Sequence, residues 1–241
     1  MKVFIVYAHP EPKSFNGAMK DLAVSVLTEQ GHQVQVSDLY SMNFKAVADR
    51  ADFLELENPD FFKYQIEQNV AYEHKKLAPD IVAEQEKLLW SDLVIFQFPL
   101  WWFSLPAILK GWVDRVMTTG FAYGGGKFYD QGGLAGRKAM LALTTGGPPT
   151  MYSETGLNGD LDQILFAINH GILYFVGLEV LPPFVAWSVA RAGEEGRQHY
   201  LETYKHRLLN LEHLPTIPYR PLSDYDEQFQ LKPGRETYLQ T

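Results

Sequence analysis

The sequence predicts an α/β fold: a doubly wound, five-stranded parallel sheet with a long insertion after the second strand and a short irregular C-terminal tail. Three observations predict it. Five short apolar runs rich in β-branched and aromatic residues recur at Val3–Tyr7, Gln33–Ser37, Leu93–Phe98, Ala139–Thr144 and Glu179–Ala186, as strands of a covered sheet require. Segments with helical spacing separate them, so each strand leads into a crossover, and the strands lie parallel with right-handed connections. Loops rich in Gly, Thr, Asn and aromatic residues follow the first, third and fourth runs. In an open parallel sheet such loops meet in one crevice beyond the carboxyl ends of the strands.

Taken in order, Val3-Phe4-Ile5-Val6 makes the first strand, and Ser14 then precedes a helix with Ala18, Leu22 and Val26 on one face, stopped by Gly31. The connection from Leu39 to Pro79 is too long for an ordinary loop, and insertions of this length usually carry function or form interfaces. It is charged and aromatic, with Phe61-Phe62-Lys63-Tyr64, and resumes helical character over Asp80 to Trp90. Pro106 suits a first helical turn and starts a helix over Ala107 to Thr118. Leu161 to Val176 reads as one largely buried helix and Glu194 to Leu211 as an amphipathic one. After Pro215 come Pro218, Pro221 and Pro233 with little periodicity, which reads as a tail laid over a surface. The reading is one domain over residues 1–218 and a tail, 219–241, packed on the domain or on a partner subunit.

Composition narrows the function. With 46% hydrophobic and 14% aromatic residues the chain is globular rather than disordered. A net charge of −8 repels a phosphate backbone and argues against nucleic-acid binding. The absence of cysteine excludes disulfides, thiolate metal sites and thiol redox chemistry, so a redox function needs a bound cofactor. The N-terminal apolar run ends by Ala8, too short for a signal peptide core, and the uncharged stretch Leu93 to Leu109 is interrupted by Gln97, Pro99, Ser104 and Pro106. A cytoplasmic protein with no integral membrane segment is the expectation.

The three loops suit a flat ligand. The first, His9-Pro10-Glu11-Pro12-Lys13-Ser14-Phe15-Asn16, ends at a helix N-terminus, where exposed amides and the helix dipole favour an anion such as a phosphate. It is neither a Walker loop nor a Gly-x-Gly-x-x-Gly fingerprint, and an ordinary Ser-capped helix would look the same. The second, Pro99-Leu100-Trp101-Trp102-Phe103, sets three adjacent aromatics at a strand end, some of which must simply cover the core or an interface. The third, Thr144-Thr145-Gly146-Gly147, lets the backbone approach a ligand closely, with the phenol of Tyr152 beyond it. Exposed amides and an oriented hydroxyl suit charge developing on a heteroaromatic ring during reduction. His199, Glu202 and His206 share a helix face but fit an exposed charged surface better than a metal site. His170 lies in an apolar helix as a core histidine would. No Gly-x-Ser-x-Gly elbow supports a hydrolase.

These segments carry a resemblance. Ser14-Phe15-Asn16, Ser37-Asp38-Leu39-Tyr40 with Met42-Asn43-Phe44, Pro79-Asp80-Ile81-Val82-Ala83-Glu84-Gln85, the run Asp92 to Leu100, Trp102-Phe103, Pro106-Ala107-Ile108-Leu109-Lys110-Gly111-Trp112, Thr144 to Gly147 and Met151-Tyr152-Ser153 resemble, in order, the NAD(P)H:quinone oxidoreductase (DT-diaphorase) family of flavodoxin-like flavoproteins. The resemblance reaches about Pro218. It implies a homodimer that binds FAD, with two active sites at the subunit interface and a small-molecule quinone as substrate. The ADP part of FAD would lie along His9, Ser14, Phe15, Asn16 and Ala18, with Glu194, Arg197 and Leu201 nearby. Its ring would rest on Pro99, Leu100, Trp101, Trp102 and Phe103 and on Thr144, Thr145, Gly146 and Gly147, with Tyr152 facing the polar edge. Trp102, Phe103, Tyr123, Tyr129 and Phe175 would wall a pocket that NADH or NADPH and the quinone enter in turn, giving ping-pong kinetics.

The departures from that family are specific. Asn158 stands where the principal branch pairs a histidine with the tyrosine; asparagine donates a hydrogen bond but delivers no proton. A related branch that prefers small dihydronicotinamide donors also carries asparagine there. That branch binds a structural metal through two histidines and a cysteine. Here only His170 matches, Tyr174 takes the second position, and no metal is expected. Gly124-Gly125-Gly126 replaces a bulkier stretch, which implies a wider pocket mouth, and Lys63 stands where the family reaches a polar side chain toward the partner's flavin. Two other classes compete: a flavin-binding regulatory subunit of a potassium-efflux system, and an electron-transfer flavodoxin, against which the long insertion and the aromatic second loop argue.

Overall fold

The computed structural model describes residues 1–235. Five strands, β1 (Lys2–Tyr7), β2 (Gln33–Asp38), β3 (Leu93–Pro99), β4 (Lys138–Thr144) and β5 (Glu179–Ala186), form one sheet in the order β2-β1-β3-β4-β5. Every neighbouring pair is parallel. All five predicted runs are strands, and the class is the flavodoxin-like α/β fold. Chain order reverses between β1 and β3, so the carboxyl ends of those strands flank the crevice such sheets use for ligands.

Alternation of side chains along the buried strands splits the core in two. Phe4, Val6, Phe96, Phe98, Leu141 and Leu143 face α3 (Pro79–Trp90), α4 (Ala107–Val116) and α5 (Leu161–Ile168), burying Leu88, Trp112 and Leu165. On the other face Val3, Ile5, Tyr7, Ile95 and Met140 meet Met19, Ala23, Leu27, Tyr204 and Leu208, which belong to α1 (Phe15–Glu29) and α6 (Gly193–Leu209). Ser14 caps α1 by accepting from the Gly17 N–H at 3.1 Å.

Two expectations need correction. The single helix Leu161 to Val176 is an α-helix only to Ile168, followed by a π-helical turn over Asn169–Tyr174. Residues 164–176 are apolar on most sides, so the one-position shift of a π-turn leaves no break in the spacing for periodicity to detect. The insertion also holds more than its closing helix: α2 spans Tyr64–Glu73. Glu67 and Gln68 on its buried side break the apolar spacing that would have announced it.

The insertion is held by buried charge. Asp52 accepts from Arg115 Nε at 2.9 Å, Lys45 Nζ at 2.9 Å and the Tyr64 hydroxyl at 2.7 Å, and Arg115 Nη1 reaches Asp80 at 2.6 Å. Beyond α6 the chain crosses the outer edge of β5, where Ile217 N–H bonds to Val180 O at 2.7 Å. It then lies over the π-turn: the Tyr174 hydroxyl donates to Arg220 O at 2.8 Å and Leu222 N–H to Asp130 at 2.8 Å. The last part of the expected tail, residues 236–241, lies outside the described residues.

Candidate active site

The three loops meet at the carboxyl edge and are bonded to one another. Asn16 is buried, and its Nδ2 donates to Thr144 Oγ1 at 2.8 Å. Gln97 Nε2 donates to the Asn16 carbonyl. Leu100 N–H bonds to Thr144 O at 2.9 Å, joining second loop to third. The His9 and Trp101 rings, 6.2 Å apart, join first to second. Pro99, Leu100, Trp101, Trp102, Thr144, Thr145 and Gly146 line a cleft of about 350 Å³ with Val189 and Ala190.

The second loop has an unusual backbone. Trp102 and Phe103 are consecutive and left-handed, with φ of 51° and 58°, a conformation uncommon for bulky residues and concentrated at ligand sites. Ser104 N–H turns back to Trp101 O at 3.0 Å and closes the loop. Trp102 is 95% exposed, so burial is not what holds its ring in place. The N–H groups of Trp102, Phe103, Gly146 and Gly147 have no carbonyl partner among the described residues. Buried Asn16 Oδ1 has no partner either.

Tyr152 ends a single 3-10 turn, Pro149–Tyr152. Its ring lies 6.5 Å from that of Phe103 and 5.4 Å from that of Trp187. Asn158 comes back beside it, its N–H bonded to Met151 O at 2.9 Å. That return needs Gly156, where a Cβ would stand 2.6 Å from the Met151 carbonyl atoms.

The sequence profile of the flavodoxin-like fold family matches residues 1–208. Human ribosyldihydronicotinamide dehydrogenase [quinone] is 49% identical over 218 residues, covering 90% of this chain and 94% of that protein. Rat NAD(P)H dehydrogenase [quinone] 1 is 45% identical over 230 residues, covering 95% and 84%. A candidate quinone reductase from Klebsiella pneumoniae superposes with a TM-score of 0.95 at 44% identity, covering 98% and 97%. The chain belongs to the NAD(P)H:quinone oxidoreductase family of flavodoxin-like proteins. These relatives are oxidoreductases by name.

Against the residues that the quinone oxidoreductase resemblance singles out, the structure separates three groups. His9, Ser14, Phe15, Asn16, Pro99 to Phe103, Thr144 to Gly147 and Tyr152 share the carboxyl edge with the half-buried Asn158. Ala18 and Glu194 are exposed, while Arg197 and Leu201 are half-buried on α6, which packs along α1. Tyr123, Tyr129 and Phe175 are elsewhere, in a second aromatic cluster: Phe175 lies 5.3 Å from Tyr123 and 5.4 Å from Tyr129. Tyr129 and Phe175 line a cavity of about 450 Å³ with Phe128, His170, Arg220, Leu222, Tyr225 and Phe229, while Tyr123 lines a neighbouring one with Phe175. One chain therefore does not bring all five substrate-wall candidates to one place. Beside that cavity, His170 stacks on Phe166 at 4.6 Å, and burial lowers its pKa. Burial chiefly pushes the Tyr174 and Tyr219 phenols up to about 12. The described residues hold no cluster of three acidic or histidine side chains placed to bind a metal, and no described helix is long and apolar enough to cross a membrane.

Sequence reasoning missed a fourth loop, Trp187 to Ala190. The signal was available: the fifth strand ends at the same edge as the third and fourth, and a tryptophan follows it at once.

Proposed function

We propose that the chain is an FAD-dependent oxidoreductase that reduces quinones by two electrons, with NADH or NADPH as donor and ping-pong exchange of donor and acceptor in one pocket. The observation that carries this reading is the left-handed pair Trp102-Phe103 facing Thr144–Gly147. Together they give an apolar wall, unpartnered N–H groups and the phenol of Tyr152 around one cleft. A flavin ring, flat and apolar with one polar edge, fits that donor set, and buried Asn16 Oδ1 offers an acceptor at the helix end of the site. The first turn of α1, with Arg197 and Leu201 of the adjacent α6, suits the diphosphate and adenine of FAD.

FAD held in this cleft would supply the hydride-transfer chemistry between nicotinamide and quinone. The protein positions and stabilises. Trp102 and Phe103 would hold the ring on its apolar face, and their N–H groups with those of Gly146 and Gly147 would offer hydrogen-bond donors to its polar edge. Tyr152 presents an O–H to charge that develops at the polar edge. Asn158 adds a donor but cannot relay a proton. Tyr123, Tyr129 and Phe175 complete the pocket from a second copy of the chain, so the working unit is a homodimer and the described tail frames the partner's site.

Asn158 favours a second reading, in which small dihydronicotinamides are the preferred donors. Anaerobic stopped-flow absorbance of FAD-loaded protein decides. Bleaching by NADH or NADPH followed by recovery with a benzoquinone supports the first reading. Bleaching only by a truncated dihydronicotinamide selects the second. No bleaching by any donor overturns both.

A further inference from the structure

We propose that Trp187, the first residue beyond β5, is a positioning residue for the phenol of Tyr152; the inference rests on Tyr152 facing the polar edge of the bound ring. No described side chain hydrogen-bonds the Tyr152 hydroxyl, so its direction is set by what packs on the ring. Besides the buried core against which Tyr152 packs, three groups stand beside it. The Trp187 indole is 5.4 Å away at 47°, and the Phe103 ring 6.5 Å away at 56°. The third is the bare backbone of Gly147, where a Cβ would stand 3.2 Å from Tyr152 Cε2. Trp187 has the shorter ring contact of the two.

The indole is itself fixed relative to the glycine turn. Thr145 N–H bonds to Ala186 O at 3.0 Å. The Thr145 hydroxyl donates to Gly147 O at 2.8 Å and accepts from Ser188 N–H at 3.4 Å. Arg191 N–H closes back on Ser188 O at 2.7 Å, with Ser188 held left-handed at φ 47°. The end of β5 and the Thr144–Gly147 turn thus form one hydrogen-bonded unit. Trp187 carries that rigidity to Tyr152, whose own backbone sits on a single 3-10 turn.

Site-specific 3-fluorotyrosine at position 152 and 19F NMR test the packing on the protein without reference to turnover. Wild type should give one resonance displaced by the indole ring current, and W187A should move it toward the free-residue position. In stopped-flow, W187A should slow flavin reduction at saturating donor by roughly ten- to a hundredfold, with FAD affinity within about threefold of wild type. W187F, which keeps an aromatic face, should restore most of the rate. An unmoved resonance, or a wild-type rate in W187A, overturns the positioning role alone. Loss of FAD affinity in step with rate, or failure of W187F to rescue, makes the residue merely structural and also overturns it. A wild-type protein that no donor reduces sinks the reading of the site as a whole, and the positioning role with it.

Discussion

Left-handed φ at Trp102 and Phe103 costs on the order of 1–2 kcal/mol at each residue, and the exposed Trp102 ring returns little of that through burial. Such strain persists where it serves a ligand. Trp102→Gly removes the steric penalty but adds backbone entropy of about 0.5–1 kcal/mol, so the ligand-free melting temperature should hold or rise slightly. The FAD dissociation constant should meanwhile rise at least about tenfold, since a wall of the site is gone. Thermal melts of the apoprotein and a flavin fluorescence titration check the pair; a clear loss of stability with unchanged affinity would refute the account. At Asn158, bonded through its backbone beside Tyr152, substitution by His restores a group that exchanges protons near neutral pH. Asn158→His should change either the rate of flavin reduction or the preference among donors, and an unchanged rate with every donor would show that the position is inert.

A buried guanidinium is one of the fastenings between the insertion and the core. Arg115 is 1% exposed and Asp52 is fully buried, so removing the guanidinium takes the buried cation from that carboxylate and leaves it only Lys45 and the Tyr64 hydroxyl. Arg115→Met should cost about 3–5 kcal/mol, read as a lower urea midpoint, and a cost below about 1 kcal/mol would show that the clamp is not structural. Burial pushes the Asp80 carboxyl up, but its hydrogen bond to Arg115 and the charge behind that bond together hold it below the usual carboxylate range. A depressed folded-state value contributes stability above the unfolded pKa of about 3.9 and loses it as pH falls through the lower folded value. Acid unfolding below about pH 4 should therefore be shallower in Asp80→Asn than in wild type, and identical acid profiles would exclude Asp80 from the linkage. This element also shows what the sequence conceals. The strands were legible because Val3–Tyr7 and Leu93–Pro99 are buried along almost their whole length, and the three loops followed from the carboxyl-end rule. α2 was not, because Glu67 and Gln68 face inward to hydrogen-bond partners that lie far along the chain or across a loop. The left-handed aromatic pair and the π-turn were not, because the sign of φ leaves no mark on an apolar pattern and residues 164–176 are apolar on most sides.

At the scale of the molecule, the aromatics that the proposed function assigns to one substrate pocket stand in two places. Trp102, Phe103 and Tyr152 stand at the carboxyl edge. Tyr123, Tyr129 and Phe175 cluster beside the π-turn and the tail. If two copies complete each other, lesions in the two groups must complement. Tyr152→Phe should slow flavin reduction while FAD stays bound, and Phe175→Ala should raise the KM for quinone. Each homodimer then carries two defective sites. A heterodimer of the two variants carries one site with both lesions and one with neither, so it should recover about half of the wild-type turnover, the statistical share of one intact site in two. Co-expression with two different affinity tags isolates that heterodimer, and light scattering should give it twice the mass of the chain. A site built within one chain predicts the opposite, because every site in the heterodimer would then keep one lesion and activity would be no better than the mean of the two variants.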